Sequence, residues 1–226
     1  MIQAIIFDFD GVILESVDLK GRAFSRLFHA WPEHLDAIER LHRDNGGLSR
    51  YEKFRRIHED FLRRPLPDAE VWRLDAEFGE FVGAEILTCP FVPGALEFLE
   101  RRVIDHRLFV ASGAPQDELR TILAARGLSQ FFAGAYGSPR SKHAIVREIL
   151  TELGEAGGET IFIGDARQDY EAAAAAGVPF VGRVAPGSPS PFPGTPVAIV
   201  RDLTELNGMW TALVRQLESR VDTARP

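Results

Sequence analysis

Six short apolar runs, most of them ending in small or polar residues, set the frame of this 226-residue chain. The first, Ala4-Ile5-Ile6-Phe7-Asp8-Phe9, is almost continuously apolar, which suits a strand buried on both faces of a parallel sheet. Further strands are expected at 107–111, 132–137, 160–163, 179–184 and 197–200. Between them the apolar spacing changes to the helical period, at 95–102, 116–126, 142–153 and 203–217, with another helix after 165. The alanines at 172–176 would let that helix lie close to a sheet. Residues 186–196 hold five prolines and read as a loop, and the tail from Glu218 is expected to fray. One long stretch, 17–87, is helical throughout. Ala23, Phe24, Leu27, Phe28 and Trp31 share helical spacing, as do Tyr51, Phe54, Ile57, Phe61 and Leu62, and then Val71, Trp72, Phe78, Phe81 and Val82.

Strands alternating with helices imply an α/β fold, a doubly wound, Rossmann-like parallel sheet covered on both faces. The helical block is then an insertion after the first strand. The expected division is a core of residues 1–15 and 89–226 with a helical insert of 16–88. Composition adds exclusions. Apolar residues make up 45% and charged residues 26%, an ordinary globular balance. No apolar run approaches the roughly 20 residues that span a bilayer. The chain starts on a strand pattern rather than a signal peptide, so a cytoplasmic location without membrane attachment is expected. A single cysteine excludes an internal disulfide and a thiolate-built zinc site. Cys89, at the insert boundary, reads as a small semi-buried residue. His29, His34, His42, His58, His106 and His143 show no metal-ligand spacing and read as structural or surface residues. The net charge of −7 argues against a nucleic-acid surface, which needs a clustered positive field. It leaves room for a small phosphate, because a few local cations override the global sign. The chain itself is expected to be a monomer or a homodimer.

The chemistry gathers at strand ends. In a doubly wound sheet ligands sit at the carboxyl ends of strands, near a switch point in their order. Three strands end in Asp8-Phe9-Asp10-Gly11, Ser112-Gly113 and Gly164-Asp165, with Asp169 four residues on and Lys142 opening the helix between the last two. Carboxylates brought this close repel one another and need a cation or a proton to coexist. An oxygen-only set of this kind suits Mg²⁺.

This set resembles the haloacid dehalogenase superfamily of phosphohydrolases, in the phosphoglycolate phosphatase and β-phosphoglucomutase-like branch. The matching stretches are Ile6-Phe7-Asp8-Phe9-Asp10-Gly11-Val12, Val110-Ala111-Ser112-Gly113, Lys142, and Ile163-Gly164-Asp165-Ala166-Arg167-Gln168-Asp169. The resemblance implies that the insert is a cap and that the chain is a phosphatase of small phosphorylated metabolites. It makes Asp8 the nucleophile of an aspartyl-phosphate mechanism and Asp10 the general acid and base. Asp8, the backbone carbonyl of Asp10 and Asp165 would hold Mg²⁺, with Asp169 acting one step out or orienting Lys142. Ser112, with Gly113 and the amides after it at a helix N-terminus, would bind phosphoryl oxygens, and Lys142 would supply a positive charge; Arg140 is the alternative cation. An acid at position 10 points to phosphate-ester hydrolysis or phosphoryl transfer, since the dehalogenases of the superfamily lack one there.

Gly46-Gly47-Leu48-Ser49-Arg50 resembles the branch's cap loop, whose arginine meets the distal phosphate of a sugar phosphate. Arg50 is thus a candidate substrate contact, and Gly46 and Gly47 would permit a tight turn facing the catalytic site. Lys53 is one helical turn from Arg50 on a helix whose cations read mostly as solvent-facing. Lys20 stands where the mutases carry a histidine, which favours hydrolysis over a phosphomutase; it is either a substrate ligand or an exposed helix lysine. A non-enzymatic metabolite-binding protein is the third reading, opposed by the intact catalytic set.

Overall fold

The computed structural model describes residues 1–154 and 157–224. Its centre is a sheet of β1 (Ala4–Phe7), β2 (Arg107–Pro115), β3 (Gly134–Ser138), β4 (Thr160–Gly164), β5 (Phe180–Arg183) and β6 (Ala198–Val200). All pairings are parallel, in the order β3-β2-β1-β4-β5-β6. The chain winds outward from β1 in one direction, then crosses back to begin the other half at β4. Connections leaving β1 and β4 diverge, which opens a crevice at the carboxyl ends of these two strands.

Strand β1 is buried on both faces, as its unbroken apolar run requires. Ile5 and Phe7 enter one core with Phe98 and Leu99 of α5 (Ala95–Arg102), Leu119 of α6 (Gln116–Ala125) and Leu206 of α9 (Leu203–Ala224). Ala4 and Ile6 enter the other with Ile145 and Ile149 of α7 (Lys142–Leu153) and Ala172 and Ala173 of α8 (Arg167–Ala175). Those two alanines let α8 approach the sheet closely. Phe192, from the proline-rich loop, packs edge-on against Phe180 with ring centroids 5.2 Å apart.

Between β1 and α5 the chain is helical: α1 (Val17–Leu27), α2 (Leu35–Asp44), α3 (Arg50–Arg56) running into a π-helical turn at Ile57–Leu62, and α4 (Asp68–Thr88). These helices share a phenylalanine core. Phe24 lies 4.9 Å from Phe78 and 5.8 Å from Phe54, centroid to centroid, in tilted and edge-to-face contacts that add to simple burial. The two chain crossings between this segment and the sheet are bonded to each other. Glu15 N donates to Pro90 O (2.9 Å), Val92 N to Ile13 O (3.0 Å), and Leu14 bridges Phe91 antiparallel. Beside them, Arg126 donates to the carbonyls of Ile86, Leu87 and Cys89, satisfying the open end of α4.

Two expectations need correction. The tail does not fray from Glu218, because α9 runs to Ala224. Leu213 and Leu217 are buried one turn apart, and helix propagation beyond such an anchored turn is easy. The strand expected at 107–111 continues through Ser112 and Gly113 to Pro115, with a register shift against β3 between Ala111 and Pro115. Ser112 therefore lies in an irregular strand, four residues before α6, rather than at a helix N-terminus. Among the described residues, no helix is long and apolar enough to cross a membrane.

Candidate active site

The chain leaves β1 at Phe7 and puts Asp8 directly over the crevice. Asp8 is buried; its Oδ1 accepts from Phe9 N (2.7 Å) and lies 2.8 Å from Lys142 Nζ. Lys142 opens α7 behind the N-cap Ser141, whose hydroxyl accepts from Ala144 N (3.3 Å). Its ammonium also donates to Asp169 Oδ1, while Asp169 Oδ2 accepts from Ala166 N (3.0 Å) in the first turn of α8. Asp165 follows β4 directly. One oxygen from each of Asp8, Asp165 and Asp169 lies within 4.8 Å of the others. Gly11 makes this approach possible. It sits at φ +74°, and a Cβ there would fall 2.0 Å from Asp165 Oδ2.

Three carboxylates around one ammonium leave the cluster short of positive charge. Burial, then the neighbouring Asp169, raises the Asp8 carboxyl well above its ordinary range, against the pull of Lys142. The same two causes push Asp165 up to about 7. The donor set is all oxygen, which fits a hard divalent cation. A stability prediction follows with a definite sign. Carboxyls whose folded pKa is raised hold protons that the unfolded chain gives up, so without metal the fold loses stability as pH rises from about 4 through about 7. In chelator, the melting temperature should fall between pH 5 and pH 8. Added Mg²⁺ should restore it most at the higher pH, by on the order of 5 °C. A metal-induced gain that is equal at both pH values would contradict this electrostatic account.

Asp10 turns the other way. Its Oδ1 accepts from Ser16 Oγ (2.5 Å) and its Oδ2 from Lys20 Nζ (2.6 Å). Burial would raise this carboxyl, but the Lys20 charge and these two hydrogen bonds more than offset it and leave it below the ordinary value. Its carboxylate is thus not part of the three-oxygen cluster. Lys20 is not an exposed helix lysine: it lines the cleft one turn beyond Ser16, and both close on Asp10. Ser112 is buried, and its Oγ accepts from Ala114 N (3.1 Å). Gly113 lies beneath the Leu48 carbonyl. Arg140 is outside the site, paired with Glu148 (3.1 Å) and Gln116.

The helical segment covers the crevice. Its loop at Gly47 packs so closely on Gln168 that a Cβ there would sit 2.8 Å from the Gln168 Cβ. The demand for glycine there is closeness, since left-handed backbone is found at neither Gly46 nor Gly47. Arg50 is buried between two carboxylates. Its Nε lies 2.6 Å from Asp75 Oδ1, an ion pair without hydrogen-bond alignment, and its guanidinium donates to Glu118 of α6 across the gap. Asp10, Asp165, Arg50 and Gly113 line one cleft between the helical segment and the strand ends.

Two residues with no assigned role in the sequence reading also face this space. Lys53 and His42 line the cleft, and Lys53 Nζ lies 3.1 Å from His42 Nδ1. His42 Nε2 contacts Val17 O at 3.0 Å, so that nitrogen carries the proton and Nδ1 accepts from the lysine. Burial, then the Lys53 charge, drops His42 to about 3, which keeps it neutral. Burial, then the Lys20 charge, lowers Lys53 to about 7. The signal was available: Ile38 and His42 are one turn apart on α2, and Lys53 adjoins the buried stripe of Arg50, Phe54 and Ile57. Arg183 of β5 was missed too. It grips the loop after Asp10 through Gly11 O (3.2 Å) and Glu15 Oε1 (2.6 Å).

A doubly wound sheet with an acidic cluster over its switch point, covered by an inserted helical segment, defines a class of hydrolase. The chain belongs to the haloacid dehalogenase-like hydrolase family, whose model matches residues 2–177. It is 36% identical over 81 residues to protein CbbY of Cereibacter sphaeroides, a match spanning 34% of this chain and about a third (35%) of that relative. A β-phosphoglucomutase from Clostridium difficile has the same fold, with TM-score 0.76, 19% identity and coverage of 98% and 99% of the two chains. So does a predicted phosphoglycolate phosphatase from Haemophilus somnus, with TM-score 0.72, 20% identity and coverage of 92% and 97%.

Proposed function

We propose that this chain is a Mg²⁺-dependent phosphatase of a small phosphorylated metabolite, of the sugar-phosphate or phosphoglycolate class, with residues 16–88 as its cap. The observation that carries the reading is Asp8 held 2.8 Å from Lys142 beside two further carboxylates, with Asp10 two residues on and facing the cap. Asp8, the backbone carbonyl of Asp10 and Asp165 would hold Mg²⁺, whose charge offsets the repulsion between an anionic nucleophile and an anionic phosphoryl group. Asp169 orients Lys142 and acts one step out. An Asp8 oxygen attacks phosphorus, the ester P–O bond breaks, and the leaving oxygen takes a proton from Asp10. Water then attacks the aspartyl phosphate and passes a proton to Asp10 as the bond to Asp8 breaks. Lys142, the Ser112 hydroxyl and the Gly113 amide steady the phosphoryl oxygens throughout. The first step needs Asp10 protonated, so its contact with Lys20 must exchange before that step; the second step uses the carboxylate that Lys20 and Ser16 favour.

The Gly47-Leu48-Ser49-Arg50 loop supports a second reading, a phosphomutase. Arg50 is held through Nε by Asp75 and through Nη2 by Glu118, which leaves its unpartnered Nη1 as the atom that could meet a substrate. A phosphate-release screen over phosphomonoesters with Mg²⁺ separates the two. Hydrolysis of at least one small phosphometabolite is expected, with kcat/KM of about 10⁴ M⁻¹s⁻¹ or more for the best. No release from any member would sink the phosphatase reading, and interconversion of hexose 1- and 6-phosphates without net release would establish the mutase.

A further inference from the structure

Four cations surround the cleft, and their partners differ. Lys142 is held by Asp8 and Asp169, Lys20 by Asp10, and Arg50 by Asp75 and Glu118. Lys53 has no carboxylate partner among the described residues. It is 3% exposed, its one hydrogen-bond partner is the neutral His42, and its ammonium lies 5.7 Å from the centre of the Phe24 ring. A buried ammonium with so little compensation is costly, and an anion arriving beside it would offset that cost. Lys53 also stands on the cap side of the same space that Asp10 and Asp165 line from the core side. A phosphoryl group seated on Asp8 would leave the rest of the substrate between the two.

We propose that Lys53, positioned by His42, binds a second anionic group of the substrate, a phosphate or a carboxylate at the end remote from the transferred phosphoryl group. This rests on the phosphatase reading for the placement of the first phosphate. It shifts the reading of the remote end from Arg50, which the structure shows neutralised twice, to the cation left without a counter-charge. Arg50 instead ties the cap to the core through Glu118. His42 fixes the lysine by accepting one of its protons while anchored to the Val17 carbonyl, which leaves the ammonium's other protons for the ligand.

The test is titration calorimetry on Asp8→Asn, which holds ligand without turning it over, and on Asp8→Asn combined with Lys53→Met, both with Mg²⁺. Three probes are used: glycerol 1-phosphate, with a neutral remainder; phosphoglycolate, with a carboxylate; and a pentose 1,5-bisphosphate. Asp8→Asn should bind one of the two doubly anionic probes at least 10-fold more tightly than glycerol 1-phosphate, and which one identifies the second group. Lys53→Met should weaken that probe roughly 10- to 100-fold, the range of a charge-assisted hydrogen bond, and leave glycerol 1-phosphate within about twofold. Its melting temperature should be unchanged or higher, since an uncompensated charge is gone. Equal weakening of all three probes, or no preference for a second anion, overturns the proposal. Because calorimetry needs no turnover, absence of phosphate release by the wild type would count against the phosphatase reading alone.

Discussion

Asp8→Asn is expected to lower phosphate release by at least about 10⁴-fold while leaving the chain folded. A carboxamide is uncharged, its nitrogen pair is delocalised into the carbonyl and its oxygen is a far weaker nucleophile than a carboxylate, and residues that act as the nucleophile in covalent catalysis cost this much or more when removed. The same substitution has a stability signature. In the folded chain, burial and then Asp169 disfavour the charged form of Asp8, despite the Lys142 contact at 2.8 Å. A neutral isostere removes that penalty. In chelator at pH 7.5, Asp8→Asn should melt at or above the wild-type temperature, and its gain on adding Mg²⁺ should be smaller. Phosphate release and differential scanning fluorimetry measure the two effects. Activity within 10-fold of wild type would remove Asp8 from the nucleophile's place. A large drop in melting temperature would mean that the Lys142 pair outweighs the repulsion.

The second large effect is expected at Lys142. Lys142→Met deletes the ammonium between Asp8 and Asp169, both buried. Breaking a buried pair from one side leaves uncompensated charge and costs about 3–5 kcal/mol, here with two carboxylates stranded. The variant should be strongly destabilised in chelator at pH 8 and recover in part at pH 5.5, where the raised Asp8 carboxyl takes up a proton, or with saturating Mg²⁺. Where folding is restored, kcat should still be down by about 10²- to 10³-fold, the cost of losing a charge aimed at the reacting group. Lys142→Arg should recover stability better than activity, because a planar fork cannot replace a compact ammonium in a site this enclosed. Full activity in folded Lys142→Met would reduce this residue to a structural cation.

The core strands were legible because each is a short apolar run closed by small or polar residues, and the same closures mark the site. Asp8, Asp165, Asp169 and Lys142 come together because strand order brings chain-distant ends to one crevice. Helix α2 lay within the stretch read as helical but was not picked out as an element of its own, because Leu35, Ile38 and Leu41 are thinly spread among Asp36, Glu39, Arg40, Arg43 and Asp44. What sequence hides most is compensation. Arg50 read as a free cation, because nothing local announces that Glu118, from a different element, will neutralise it. Lys53 was set apart only as one turn from Arg50 among cations that read mostly as solvent-facing, and its place beside Phe54 and Ile57 was the signal that it is buried. Ser112 was placed at a helix start because Ser-Gly commonly ends a strand, whereas here a register shift lets β2 run on.

The paired crossings at Ile13–Glu15 and Pro90–Val92 have a consequence for timing. Two segments locked side by side form a ribbon that flexes about one axis and resists twisting or sliding. An opening of the helical segment about that ribbon would follow a single arc. Along such an arc Arg50 would part from Glu118 and Lys53 from the space over Asp165 together. Admission of solvent and dissolution of the charge pattern would then be one event.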